Sequence, residues 1–213
     1  MARIAMIGAT GLIGRCLATL LVAAGHELLI IGRREIGVAG ARDKVATVDH
    51  WDDAVANEAV DVAISTLGTT RKVAGSMDAF EAIDRIAVVD FARAANKAGA
   101  RQWMMVSSTG ADPHSRNSYL AVKGRAEADV LTLGFERIDI FRPGLLVGPR
   151  DEKRPAEKLG MLLSPLMNLI LGGPLDRYQA IGAERVAAAM AAVAATGENG
   201  CEIHHNREIR ALS

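Results

Sequence analysis

Residues 3 to 14 read Arg3-Ile-Ala-Met-Ile-Gly8-Ala-Thr-Gly11-Leu-Ile-Gly14, a short apolar run that stops at the first of three evenly spaced glycines. Such a run reads as a buried strand, and Leu12 to Ala24 then repeats apolar residues at helical spacing until Gly25 ends it. Between a strand and a helix the glycines have a mechanism. Gly8 permits a sharp turn, Gly11 lets a pyrophosphate approach the backbone, and Gly14 lets helix and strand pack closely, with the first helical amides facing the phosphates. The spacing alone equally suits a glycine-rich turn without a ligand, so what surrounds it decides.

Moving outward, further strands are predicted at Glu27 to Ile31, Val45 to Val48, Val60 to Ser65, Trp103 to Val106 and Arg137 to Phe141. Helical patterns fall between them, the clearest at Met77 to Ala98 and Tyr119 to Leu133. Strands that alternate with helices cannot be joined as hairpins, which gives an α/β fold: a Rossmann-like, doubly wound parallel sheet covered on both faces. Past Arg142 come a Pro/Gly turn, a charged loop, an apolar stretch, a second Gly/Pro break and an Ala-rich helix from about Glu184 to Ala195. Residues 142 to 213 are too few for an independent domain and are expected to form a small lid over the carboxyl edge, plus a closing helix and strand. The expectation is thus one NAD(P)-binding domain over residues 1 to 213, its ligand at that edge.

Composition bounds the rest. The 213 residues include 25 basic and 25 acidic ones, without a basic stripe, and aromatics are only 4%, which disfavours nucleic acid as a partner. Two cysteines are too few for a disulfide framework, and the N-terminal apolar run meets glycines too early for a signal peptide, so a cytoplasmic location is expected. The stretch Gly160 to Leu171 is shorter than a membrane span and is interrupted by Pro165. It reads as a lid or as a face for a protein partner or a second copy.

The end of the second strand bears on which dinucleotide binds. An acidic residue there would accept from ribose hydroxyls, but this chain has Gly32-Arg33-Arg34, and guanidinium groups suit a 2′-phosphate. Arg15 reaches the same place from the start of the first helix. NADP(H) is the predicted cofactor, against the plain reading of solvated loop charges.

Tyr119 is followed four residues on by Lys123, which places both on one helix face. An ammonium favours the charged form of a nearby phenol, so the pair suits proton transfer to a carbonyl oxygen as hydride reaches its carbon. The fifth strand ends in Ser107-Ser108-Thr109, where hydroxyls meet a ligand; Ser108 is assigned to polarise the substrate oxygen, uncertain by one residue within the trio. Each hydroxyl suits equally well the role of satisfying backbone groups in the turn.

Together GATGLIG, GRR, STLGTT at the fourth strand end, VSSTGAD, YxxxK and FRPGLLVG resemble the extended and atypical short-chain dehydrogenase/reductase superfamily. Within it, STLGTTR, SSTGAD, YLAVKG and FRPGLLVGPRDEKRP are similar to the small NADPH-binding oxidoreductases of the Tat-interacting-protein type, over about Arg3 to Arg154. The resemblance implies NADPH contacts from Gly8, Thr10, Gly11, Leu12, Ile13, Gly14 and Arg15, from Arg33 and Arg34, from Leu67, Gly68 and Thr69 under the cofactor's middle, from Tyr119 and Lys123, and from Leu146 and Arg154. It makes Tyr119 the proton donor/acceptor, and it gives Asp49, at the end of the third strand, a role in accepting from the adenine amino group; a plain turn aspartate is the other reading. One departure stands out. Where many extended members carry Asn in the helix after the fourth strand, this chain has Asp84, which bears on the proton relay.

No metal site is expected. His204 and His205 are adjacent, and adjacent strand residues face opposite ways. Cys16, on the packing side of the first helix, and Cys201 read as inert. The functional expectation is an NADPH-dependent reductase of a carbonyl-like small molecule. Its rivals are a non-catalytic, NADPH-dependent regulatory or assembly protein, in which branch members are thought to act, and a nucleotide-sugar epimerase or dehydratase, for which the C-terminal region is short.

Overall fold

In the computed structural model, residues 1–148, 173–196 and 198–213 are described. The glycine-rich turn sits where the sequence puts it. Strand β1 (Arg3–Ile7) runs into the turn, and helix α1 (Leu12–Ala23) leaves it. The chain continues as β2 (Glu27–Gly32), β3 (Ala41–Val45), α2 (Trp51–Ala56) and β4 (Val62–Ser65). Short helices α3 (Arg71–Ala74) and α4 (Met77–Glu81), a π-helical segment (Ala82–Ala87) and α5 (Val88–Lys97) lead to β5 (Gln102–Val106), α6 (Ser118–Leu131) and β6 (Arg137–Phe141). The last elements described are β7 (Leu145–Val147), a 3-10 segment (Gly173–Tyr178), β8 (Ala180–Gly182), α7 (Ala183–Val193), β9 (Gly200–His204) and α8 (Asn206–Leu212).

Seven strands form one sheet in the order β3-β2-β1-β4-β5-β6-β9, and β7 and β8 form a two-stranded sheet of their own. Every strand pair is parallel. The sheet is buried on both sides, which is why its inner strands are almost wholly apolar. One core, under α1 and α7, takes Ile4, Met6, Leu28, Ile30, Met104 and Phe141; the other, under α2, α5 and α6, takes Ile7, Ile31, Trp103, Met105 and Ile140. Each large side chain so buried contributes about 2 kcal/mol. Alanines let α7 sit close against α1; its buried positions include Ala183, Ala187 and Ala189.

Register brings the strand ends level. Ile7 lies opposite both Ile31 and Ser65, Ser65 lies opposite Met105, and Met105 opposite Ile140. The glycine turn, the Arg33-Arg34 loop and the loops after β4, β5 and β6 therefore emerge along one edge. Strand order reverses between β1 and β4, and the crevice at such a reversal is where open α/β sheets bind ligands.

Three expectations are corrected here. The third strand is Ala41–Val45 rather than Val45 to Val48, because the edge strand pairs its backbone with Leu28 to Gly32 while its side chains stay largely in water, Val45 being 56% exposed. Asp49 consequently lies not at a strand end but in an exposed 3-10 turn, Val48–His50. Cys16 is exposed, since α1 buries Ile13, Gly14, Leu17, Ala18 and Leu21 instead. The predicted lid segment from Met161 to Leu171 lies outside the described residues, as does Arg154. What is described past Arg142 is built into the body: α7 covers one sheet face and β9 extends the sheet beside β6.

Candidate active site

The glycine turn is held by contacts that leave no room for side chains. Gly8 has φ +89°, and a Cβ on it would lie 2.5 Å from the Leu67 amide nitrogen. On Gly14 it would lie 2.4 Å from the Gly8 carbonyl oxygen. Both would also strike the Thr66 hydroxyl, which donates to the Ile7 carbonyl at 3.2 Å and thereby ties β4's exit to β1's. Thr66 was not singled out by the sequence; its signal is only its place in the STLGTT string. Gly11 differs: a Cβ there would meet nothing nearer than the Gly8 oxygen, 3.5 Å away, so the space above it is open. Gly11 is also the N-cap of α1 and supplies no capping side chain. The amides of Leu12, Ile13 and Gly14 thus start the helix without side-chain acceptors, as a bound pyrophosphate requires. Ile13 buries its side chain and Thr10 exposes its own, so Ile13 can offer a phosphate only its amide.

Arg15, Arg33 and Arg34 are exposed around this turn, and among the described residues none has a carboxylate partner. A cavity of about 330 Å3 opens beside Arg15, bounded by Thr19 and residues 36–39. A further cavity of about 560 Å3 lies at the opposite, amino edge. Its arginines, Arg3 and Arg42, are already paired with Asp61 and Glu58.

At the other end of the edge, α6 carries the tyrosine and lysine. Its N-cap Asn117 accepts from the Tyr119 and Leu120 amides at 3.0 and 3.4 Å, which places Tyr119 in the first turn. The phenol ring stacks on buried Phe80 of α4 with centroids 5.5 Å apart and stays 36% exposed. Gly124 lets α6 press against the loop after β5: a Cβ there would lie 2.3 Å from the Asp112 carbonyl carbon. The Asp112 amide donates to the Leu120 carbonyl at 3.2 Å, and the Ala111 amide to that of Ser108 at 3.0 Å, so the hydroxyl trio and the first turn of α6 share one corner. Arg142, just past β6, grips Glu127 of α6 from the other side.

The trio divides by what each hydroxyl already touches. Thr109 Oγ1 lies 2.9 Å from the carbonyls of both Arg142 and Arg177, so its proton is spent on backbone. Ser107 is buried with no partner for its Oγ among the described residues. Ser108 is half-buried, and its Oγ has only a long contact, 3.4 Å, to the Thr109 carbonyl.

Lys123 is 4% exposed and its Nζ lies 2.7 Å from Oδ1 of Asp84, itself 0% exposed; the pair is close, though not aligned as a hydrogen bond. Burial acts against the Lys123 charge, but Asp84 first, then Tyr119 and Glu127, outweigh it and hold the amine above the ordinary lysine value. Asp84 reaches this position from the π-helical segment, a local widening that such helices often show at functional sites. Its Oδ2 accepts from the Thr69 amide at 3.0 Å, and Lys123 Nζ donates weakly to the Leu67 carbonyl at 3.5 Å. A Cβ on Gly68 would sit 3.9 Å from that Nζ. Leu67, Gly68, Thr69 and Lys123 are therefore one assembly. Leu146, in β7, is half-buried against the α1 side of the core, while exposed Asp49 lies in the 3-10 turn after β3, which meets the π-helical segment.

The histidine pair resolves into two structural roles. His204 ends β9 and meets Asp139 at 2.9 Å, in a buried cluster with Arg137 and Gln102. His205 precedes α8, its amide donating to Glu208 at 3.0 Å.

A profile of NAD(P)H-binding proteins matches residues 8–158. The fungal protein FMP52 of Emericella nidulans, named as mitochondrial, is 38% identical over 168 residues, 74% of this chain and 72% of its own. HTATIP2 of Rattus norvegicus is 36% identical over 162 residues, 72% of this chain and 66% of its own. Among solved structures, a putative NAD-dependent epimerase/dehydratase from Bacillus halodurans superposes with a TM-score of 0.69 at 21% identity, over 94% of this chain and 92% of that one. The mitochondrial names of the fungal relatives overturn the cytoplasmic expectation. Sparse cysteines point to a reducing compartment, of which the cytoplasm is only one. With a parallel sheet reversing at β1/β4, a turn in which neither Gly8 nor Gly14 has room for a Cβ, and these relatives, the chain belongs to the NAD(P)H-binding family of FMP52 and HTATIP2.

Proposed function

We propose that this protein binds NADPH and reduces a carbonyl-like small molecule. The observation that carries this reading is the half-exposed Tyr119 phenol one helical turn from buried Lys123, on the same sheet edge as the glycine turn. When bound, NADPH supplies the hydride. The amides that open α1 hold the pyrophosphate, and Leu67, Gly68 and Thr69 underlie the middle of the nucleotide. Tyr119 gives its proton to the acceptor oxygen, held in its rotamer by Phe80. Ser108, less buried than Ser107 and with only a long contact from its Oγ, donates to the same oxygen. Lys123 holds the ribose beside the nicotinamide. Leu146 and Arg154 complete the cofactor contacts. Asp49, exposed in the 3-10 turn that follows β3, accepts from the adenine amino group.

NADPH is preferred to NADH because Arg15, Arg33 and Arg34 stand around the turn without carboxylate partners among the described residues, and no acidic side chain ends β2. Calorimetry with both nucleotides, followed by NADPH oxidation against aldehydes, ketones and quinones, tests the whole reading. NADPH binding with turnover that Tyr119→Phe removes is the expected result; absence of NADPH binding overturns it.

A second reading has one observation in its favour: the Lys123 ammonium is already engaged by Asp84 rather than left to the phenol. In that reading the protein binds NADPH and signals its presence without turnover. Tight binding with no oxidation across the panel selects it.

A further inference from the structure

The order β1-β4-β5 sets the loop after β4 midway between the glycine turn and the Ser107-Ser108-Thr109 corner. A dinucleotide laid along the edge from Gly11 to Tyr119 must cross that loop. Two backbone groups of the loop are held from below, and both by the same buried pair: the Thr69 amide donates to Asp84, and the Leu67 carbonyl accepts from Lys123. Asp84 touches neither the open space over Gly11 nor the exposed face of Tyr119; its carboxylate is wholly buried among its two partners. We propose that Asp84 is a positioning residue for the nicotinamide half of the cofactor, its carboxylate clamping the Lys123 ammonium to the Thr69 amide so that the 67–69 loop and the Tyr119 face of α6 form one rigid floor.

Two consequences separate this from a carboxylate that merely stabilises the fold. The floor lies under one half of the dinucleotide only, so its loss is felt by NADPH and not by a fragment that ends at the adenosine. Asp84 also acts through Lys123, so removing both costs no more affinity than removing Lys123 alone. The inference rests on the NAD(P)H site described above, and the experiment keeps the two apart. Binding of NADPH and of adenosine 2′,5′-bisphosphate is measured by calorimetry for the parent, Asp84→Asn, Lys123→Met and the double variant. Asp84→Asn is expected to weaken NADPH about tenfold, the scale of a lost hydrogen bond to a charged group, and to leave the bisphosphate within about twofold.

Removing one member of a buried ion pair strands the other, so each single variant is at risk of unfolding. The double variant, with neither charge, is expected to fold, to keep the bisphosphate and to show the same NADPH loss as Lys123→Met. NADPH binding at parental strength in Asp84→Asn or in the double variant overturns the proposal. So does an equal loss of both ligands, which marks a role in the fold at large, or losses that multiply in the double variant. A parent that binds neither nucleotide overturns the cofactor site itself and the proposal with it.

Discussion

The edge of the sheet above β1 and β2 and the edge above β4, β5 and β6 handle charge in opposite ways. On the first, Arg15, Arg33 and Arg34 stand in water with no carboxylate partner among the described residues. On the second, charges are matched before any ligand arrives, Lys123 with Asp84 and Arg142 with Glu127, as they also are deeper in β6, toward its amino end, where Asp139 meets Arg137 and His204. Loose charges cost little to keep and interact strongly only when a phosphate displaces their water; paired, buried ones contribute geometry and are costly to separate. The first edge is built to capture, the second to hold still.

The largest effect expected tests the second edge as a reacting site. Tyr119→Phe should lower NADPH oxidation about a thousandfold, the contribution of a general acid, while NADPH affinity stays within about twofold. Turnover surviving at more than a tenth of the parental rate would remove Tyr119 from the chemistry. Next comes the turn that joins the two edges. Gly14→Ala puts a methyl 2.4 Å from the Gly8 carbonyl oxygen and 2.5 Å from the Thr66 hydroxyl, and should cost about 3 kcal/mol in denaturant-induced unfolding.

These two positions also show what is legible without a structure. The strands β1, β2, β4, β5 and β6 read as apolar runs because both of their faces are buried, and the glycine spacing and YxxxK mark the two ends of the proposed site. β3 starts four residues and ends three before the stretch that its apolar signal marks, because an edge strand reading ARDKV has no apolar signature. Met77 to Ala98 reads as one helix, and nothing in its periodicity announces the π-helical segment that turns Asp84 inward. Phe80 looks like any core aromatic until the ring it stacks on is known. Asp84 was noticed as a departure from its relatives, but its partners come from residues 69 and 123, a convergence that only the fold creates.

A third test concerns the matched charges. Burial works against ionised Asp139, yet hydrogen bonds from His204, Arg137 and Gln102 more than compensate and hold its carboxyl below the usual value. A lowered folded-state value means stability present above the unfolded carboxyl's pKa of about 3.9 and lost as pH falls through the folded one. Asp139→Asn should therefore cost about 2 kcal/mol at neutral pH and make acid unfolding shallower below about pH 4. An unchanged acid limb would show that the cluster does not stabilise the ionised form.

The smallest effect belongs to the loose charges. Arg33→Ala combined with Arg34→Ala should weaken NADPH about tenfold, more at low salt than at high, while NADH binding stays put and stability moves by less than about 0.5 kcal/mol. Equal losses for both nucleotides would remove the 2′-phosphate from the account of this edge.

Asn206 has a consequence in time rather than in space. Its side chain accepts from the Gly144 amide at 3.0 Å and donates to the Asp176 and Gln179 carbonyls at 3.0 and 2.9 Å. The loop behind β6 and the segment 173–179 that meets Thr109 are thus pinned by a residue 62 positions beyond Gly144. β9, just before it, likewise waits for its own synthesis to join β6. On a ribosome adding about 5–20 residues per second, the glycine turn and its helix can assemble seconds before the Tyr119 corner acquires its outer support. A nascent chain would then meet the nucleotide first with its phosphate-binding half.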